Sequence, residues 1–497
     1  MTFWQKSRIR QPRRKLIDVV HSLRGSAFWN PILQWGTAGL VGLFLGIYAV
    51  AVWSLPSKFA MLSIPAILAP FVFMVFGQVR KLLLAVVVID IPLQLDSYFT
   101  YREGAIGGAI SGMIVSITTL ALAVLYVLWL AERLAKPSDT KQRPLFRLSF
   151  PLSAYIFFGI LSIMAAQDVQ LSVFGIFFYV QMFLLYIYLV GTVKTKEDLL
   201  FIMMMLMIGL ALEGLIMITL RATGSSIKIG GVIHARIDGG VRVGGTIGGP
   251  NGAAGYLSLL LAPTVGVLFA RVNKFYKWLA VPAFGFGAIA LILTGSRGGL
   301  LAFCLSVGLL VFLVWQRGWT PTAVPIAAII AAIILAFVFQ AAILGRLLED
   351  DNGSADSRIP LMMIAFNMIM DNLFLGVGMN NFTVRMLEYA KLDTAHFWMY
   401  AVHNNLLLIW SETGTTAFMA YMTFLGVTIY RGWLSWLVGD RSISPLILGF
   451  TAGILGHILH MFFDIFNGRG PVQMLWTSAA LVTVMYCLLQ KTQATDL

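Results

Sequence analysis

Arg297 stands in LILTGSRGGLLAF, a short polar turn between two apolar runs, and its side chain is well suited to hold a phosphate. The guanidinium offers a planar fork to two oxygens and keeps its proton near neutral pH. Its neighbouring glycines let a ligand or another part of the chain come close. The same pattern fits an arginine snorkelling to a membrane surface. Arg358 opens a second segment, RIPLMMIAFNMIMDNLFLGVGMNNF, whose apolar residues recur at helical spacing from Ile359 to Phe374 before Gly376 and Gly378 punctuate the end. That periodicity predicts an amphipathic helix lying on the membrane, with Arg358 at its start. A third arginine-bearing stretch begins at Arg242, with Arg236 just upstream. Residues 242–263, RVGGTIGGPNGAAGYLSLLLAP, carry six glycines in their first fourteen positions. Pro250, Asn251 and Gly252 mark a turn followed by a helix N-terminus, whose free N–H groups favour an anion. The stretch lacks the lysine of a nucleotide-binding loop, and a re-entrant hairpin shaped for packing fits it equally well.

His403 is the candidate base. It stands before an apolar run in VHNNLLLIWSETG, where a neutral imidazole can take a proton from an attacking hydroxyl. Asn404 follows it, and Glu412 falls inside the run, where a carboxylate needs a partner and is either a packing anchor or a support for the site. Metal signals are weaker. The acidic stretch EDDNGSADSR at 349–358 lacks the ligand spacing and terminal glutamate of a calcium loop. His457, His460 and Asp464 lie at helical spacing, able to bind a metal or each other, without a fourth ligand in sequence. Cys304 and Cys487 sit in apolar runs, as small hydrophobes do.

The elements that position these residues are transmembrane helices. With 59% hydrophobic and 11% charged residues over 497 positions, the chain is too apolar for a soluble protein of its length. Apolar runs punctuated by charge predict about fourteen spans, near 31–54, 59–76, 81–95, 106–131, 149–166, 171–191, 199–220, 252–271, 277–294, 299–316, 322–345, 404–430, 444–462 and 471–490. The first apolar run, beginning near Pro31, lacks a small-residue cleavage site, so the basic stretch 1–30 ahead of it reads as a retained cytoplasmic segment rather than part of a signal peptide. Residues 31–497 then form one transmembrane domain. With the N-terminus inside, 23 of the 35 lysines and arginines fall in cytoplasmic loops and at the termini, both of them cytoplasmic. The net charge of +13 is thereby a matter of topology, and no nucleic-acid partner is implied. Most of the remaining cations cluster in two outer loops, 221–251 and 346–403, and at Arg297. A transporter is the competing class, but it should carry ionisable groups near the bilayer midplane, where only Asp90 and Glu213 stand as exceptions.

Three ordered motifs give the chain a family resemblance: SRGG at 296–299, an arginine before an apolar helix ending in GVG at 376–378 with Phe382 after it, and HNNLLLIWSETG at 403–414. Together with the glycine-rich stretch they resemble the O-antigen ligase and Wzy-type polymerase superfamily over about residues 240–415. The resemblance implies an all-α polytopic membrane protein of GT-C type, with its amphipathic helix in a large periplasmic loop, although ligases of this kind have about twelve spans. It implies a periplasmic-face, inverting glycosyltransferase of the bacterial inner membrane. Such an enzyme moves a glycan en bloc from undecaprenyl pyrophosphate to an acceptor hydroxyl, without a metal or other cofactor. The acceptor is another lipid-linked glycan for a polymerase, the slightly favoured case, or lipid A core for a ligase, with membrane lipid around the site and a chain-length regulator as a further partner. Carried over by motif, Arg297, Arg358 and, more loosely, Arg242 hold the pyrophosphate, and His403 deprotonates or orients the acceptor. Asn404, Glu412 and Arg236 support them. The topology has a direct test: cysteines placed at Ser296 and Thr394 should react with an impermeant thiol reagent outside intact cells, and one at Ser138 should not. The reverse pattern would invert the protein and remove the site from the outer face.

Overall fold

The computed structural model describes residues 78–103, 107–135, 145–229, 233–338, 354–390 and 399–495. The first two expected spans and the basic N-terminal stretch lie outside the described residues, as do Ser138 and Thr394. A backbone in hydrocarbon must bond to itself, and the described chain does so almost entirely as helix. In order these are α1 (Val79–Leu93), α2 (Ile117–Ala135), α3 (Leu145–Leu161), α4 (Val169–Thr192), α5 (Lys196–Thr223), α6 (Pro250–Phe269) and α7 (Lys274–Thr294). They continue with α8 (Arg297–Gln316), α9 (Ala323–Val338), α10 (Ser354–Asp371), α11 (Phe382–Tyr389), α12 (Asn405–Val438), α13 (Ser444–Met461) and α14 (Arg469–Thr495). Among the described residues nine helices are long and apolar enough to cross a membrane. The chain is a polytopic membrane protein.

α6 and α13 form the centre, because glycines let them touch backbone to backbone. A Cβ at Gly449 would lie 2.6 Å from Pro263 Cα, and one at Gly453 2.8 Å from Leu259 O. Small residues four apart make such close crossings in lipid, where no hydrophobic effect drives helices together. α8 packs on the same helix, with a Cβ at Gly456 reaching 2.5 Å from Ala302 O.

At one end of this bundle the connections are strands rather than plain loops. The span expected from residue 106 begins instead at Ile117, because the chain before it pairs as an antiparallel hairpin, β1 (Asp96–Tyr101) with β2 (Gly112–Ser116). The stretch expected as the 221–251 loop contains β3 (Ile227–Ile229), β4 (Ile233–Asp238) and β5 (Arg242–Gly245). β5 is fixed by Glu213 of α5, whose carboxylate accepts from Thr246 N at 2.9 Å and from the Thr246 hydroxyl. Asp90 of α1 is fixed in turn by Arg469, the first residue of α14, at 2.9 Å. Arg469 also reaches Asp96 of the hairpin at 2.6 Å, and Thr118 donates to Asp90 at 2.7 Å. Both acidic residues that looked like midplane transport groups are therefore ties between helices and surface strands.

α12 breaks at Gly414, where φ is +77°, so the expected 404–430 span is a longer, kinked helix. The break frees Ser411 O and Thr415 N, and the GVG segment takes both up: Val377 N donates to Ser411 O at 2.9 Å and Thr415 N to Leu373 O at 2.7 Å. α10 confirms the helical spacing read after Arg358, but its solvent-facing side is apolar too. Ile359, Met363, Phe366 and Met370 are exposed, while Leu361, Ile364, Ala365 and Met368 are buried against the protein.

The Arg469 cluster makes a stability prediction. Arg469→Met leaves two carboxylates facing each other without a cation, which typically costs about 3–5 kcal/mol for a buried pair. Thermal unfolding of the purified protein in detergent should show a large drop; a midpoint within a degree of wild type would show the cluster to be dispensable.

Candidate functional site

The candidate residues come from four elements that meet on residues 460–467, the end of α13 and the turn that leads from it to α14. His460 lies against the SRGG turn: its Nε2 is 3.4 Å from Ser296 Oγ, and a Cβ at Gly298 would be 2.5 Å from its ring. Ser296 caps α8, accepting from Gly299 N at 3.2 Å, and is buried. It is consequently a poor reporter of sidedness, and the exposed Asp238 at the end of β4 is the better labelling position. Arg297 follows the cap as the exposed first residue of α8.

Arg242 reaches the same turn from β5. Its Nε donates to Thr294 O at 3.0 Å and its Nη2 to Asn251 Oδ1 at 2.6 Å, on the first turn of α6. The turn and helix start expected at Pro250 are both present, with Pro250 at the first helical position. Arg358, from α10, donates to Phe463 O at 3.5 Å. Asn404 and its neighbour Asn405 serve structure: Asn404 accepts from Leu406 N at 3.1 Å and Leu407 N at 3.0 Å to cap α12. Asn405 N donates to Asp464 O at 3.0 Å and Asn405 Oδ1 accepts from Phe466 N at 3.0 Å, clamping the 460–467 turn to the residue chain that carries His403.

Asp464 is the group whose place sequence reasoning missed. It appears in the sequence as a histidine partner, yet it lies where the fields of Arg358 and Arg242 meet. Burial pushes its carboxyl up to about 6, while the Ile465 N–H and the two arginines pull it down. His403 is displaced the other way, to about 4, first by burial and then by the positive charge of Arg358, with a backbone hydrogen bond to Ala401 partly offsetting both. Tyr400 lies beside it, ring centroids 5.3 Å apart. The structure thus gathers Arg242, Arg358, His403 and Asp464 around one turn, with Arg297 on the adjoining one. Arg236 is exposed on β4, and none of these contacts involves it. Glu412 is half-buried and accepts from Phe382 N at 3.1 Å, which holds the start of α11.

Among the described residues no group of three or more His, Cys, Asp or Glu could hold a metal ion. His457 and His460 are 6.3 Å apart, and Phe466 packs against both rings at 4.5 and 4.8 Å.

The motifs behind this geometry have a counterpart among known families. Residues 282–422 match the family model described as O-antigen ligase. The chain carries a domain of the O-antigen ligase superfamily. The matched region runs from α7 through the kink of α12 and contains Arg297, Arg358, His403 and Glu412; Arg242 and Asp464 lie on either side of it. The match supports a role in surface polysaccharide assembly at a membrane. No curated protein matches the chain.

The site makes a titration prediction. His403 should titrate near pH 4 rather than 6.5, so its imidazole is neutral across the physiological range. Arg358→Gln removes the cation that disfavours imidazolium, so the value should rise, yet stay below 6.5 because burial remains. NMR of ring-labelled histidine would read both; a value unmoved by the substitution would place Arg358 out of electrical reach.

Proposed function

We propose that the chain is a glycosyltransferase of the periplasmic face, moving a glycan en bloc from undecaprenyl pyrophosphate to an acceptor hydroxyl, with no metal or other cofactor. The observation that carries this reading is that Arg358 acts electrostatically on both His403 and Asp464, while Arg242 acts on Asp464 and bonds to Thr294 O beside the SRGG turn. The acceptor oxygen attacks the anomeric carbon from the face opposite the donor phosphate, the bond to that phosphate breaks, and the electron pair leaves with the pyrophosphate. His403 takes the proton from the acceptor. The reaction inverts the sugar carbon. Arginines placed where the leaving group gains charge lower the barrier, typically by a few kcal/mol for each donor.

A group displaced to about 4 is a weak base, which gives the donor a second task. A bound pyrophosphate sets negative charge against Arg358 and so restores basicity to the imidazole beside it. Asp464 plays the complementary part before the donor arrives, balancing the two arginines that would otherwise repel each other. The GT-C assignment and the count of about fourteen spans belong to the same proposal, as do cytoplasmic termini and placement in a bacterial inner membrane. A ligase transferring to lipid A core is the second reading, favoured by the description of the matched family. Products formed from one lipid-linked glycan, with and without a core-lipid acceptor, separate it from polymerisation.

Binding and chemistry should come apart in variants assayed in excess chelator. Arg297→Lys and Arg358→Lys keep the charge but lose the bidentate fork, and should weaken binding of a polyprenyl-pyrophosphate glycan. His403→Ala should bind that donor nearly as wild type while single-turnover transfer falls about 10²- to 10⁴-fold. Normal turnover in His403→Ala would remove the base, and activity that chelator abolishes and magnesium restores would remove the arginine mechanism.

A further inference from the structure

The β1–β2 hairpin presents aromatic side chains that nothing in the described core covers: Tyr98 is 45% exposed, Phe99 78% and Tyr101 56%. They are held in place. The rings of Tyr98 and Tyr101 stand 5.1 Å apart, and the Tyr98 ring fills the space over Gly112, where a Cβ would be 2.6 Å from it. The pairing register slips between Tyr98 and Thr100, leaving Phe99 as the extra residue of a bulge, a device that re-aims side chains.

The same hairpin is continuous with the proposed site. Ala401 N donates to Gly107 O at 3.2 Å, and Asn467 of the 460–467 turn donates to Gly108 O. A Cβ at Gly107 would lie 2.6 Å from the Tyr400 ring, which itself neighbours His403. Polar groups are interleaved with the aromatics: Thr100 and Glu103 are exposed, and Arg102 pairs with Asp168.

We propose that the Tyr98, Phe99 and Tyr101 face is a glycan platform on which sugar rings of the acceptor stack while its hydroxyl approaches His403. This rests on the reading of the chain as a glycan transferase. The C–H face of a pyranose carries partial positive charge and meets the negative face of an aromatic ring, while its equatorial hydroxyls find donors and acceptors at the rim. A lipid-anchoring belt also uses tyrosine, but needs an apolar side turned to hydrocarbon. Here charged and hydroxyl residues share the strand and the adjoining turn, and that turn is bonded to the segment bearing the base. The composition and the junction both favour sugar.

The test compares the wild-type full chain with Tyr98→Ala/Tyr101→Ala and with Tyr101→Trp. Saturation-transfer NMR from protein aromatic protons uses, as probe, the water-soluble oligosaccharide released from the host's own surface polysaccharide. Transfer kinetics use the host's lipid-linked glycan, in detergent and in liposomes. The double variant should lose saturation transfer to the sugar protons and raise the acceptor KM about tenfold at unchanged kcat, the size expected of one or two stacking contacts. Tyr101→Trp should retain both. A double variant with wild-type KM and wild-type saturation transfer overturns the platform, and so does a defect confined to liposomes, which marks a membrane anchor. Saturation transfer that depends on the two tyrosines in a protein that transfers no glycan would leave the platform standing and remove the transferase reading instead.

Discussion

The architecture of this end of the protein depends on one buried cation. Arg469 begins α14 with its side chain almost wholly enclosed, bonded to Asp90 at the end of α1 and to Asp96 at the start of the β1–β2 hairpin. An ion pair in such surroundings is tolerated only when every remaining lone pair and proton finds a partner. Here Thr118 and Leu95 N supply them to Asp90, and Gln473 to Arg469. The result fixes where the hairpin leaves the membrane helices and where the 460–467 turn must run. From that turn hang Asn405, the Arg358 contact and Asp464, so the geometry around His403 inherits its precision from a salt bridge that takes no part in the chemistry proposed for it.

The motif residues divide into two groups with different physical duties. Asn380 bonds to Ile110 in both directions, at 2.8 Å each, and to Leu171 O at 2.8 Å, while Asn381 accepts from Asp168 N at 2.8 Å. With Asn404, Asn405, Glu412 and Gly414 they convert a helix break and two loops into a saturated hydrogen-bond frame. Such residues are as demanding of identity as any reacting group, because an unmet buried donor or acceptor costs about 1–3 kcal/mol. A motif string therefore does not by itself tell frame from chemistry. The arginines and His403 differ in that their long or titratable side chains end on the surface of that frame.

Much of the helical order was legible in the sequence, because apolar length and charge punctuation report directly on lipid crossing. The helix after Pro250, the one after Arg358 and the polar start at Ser296 were legible for a local reason: caps, prolines and glycines act within a few residues. The hairpin at 96–116 was not, since its strands are short, one is bulged, and their apolar content merged with the following helix. The kink at Gly414 was hidden because only the distant GVG segment reveals that its backbone groups have partners elsewhere. Asp464 was visible as a carboxylate but not as the neighbour of Arg242 and Arg358, a relation created by folding across more than a hundred residues.

The proposed chemistry asks how a cationic site can stay assembled before its anion arrives. Two guanidiniums acting on one partly buried place repel, and His403 loses basicity there, first through burial and then through the charge of Arg358. A buried carboxylate solves the first problem without blocking the second step. Asp464 accepts from Ile465 N at 2.9 Å, which ties its carboxylate to the turn rather than to either arginine. When a pyrophosphate enters, its charge takes over the balancing of Arg358, and the imidazole regains the part of its basicity that this arginine had suppressed, while burial still holds it below an exposed histidine. Donor occupancy and base strength are then coupled through a single arginine. A site built in this way is poorly reactive toward an acceptor until the leaving group is already in place, which is the order that en bloc transfer of a glycan requires.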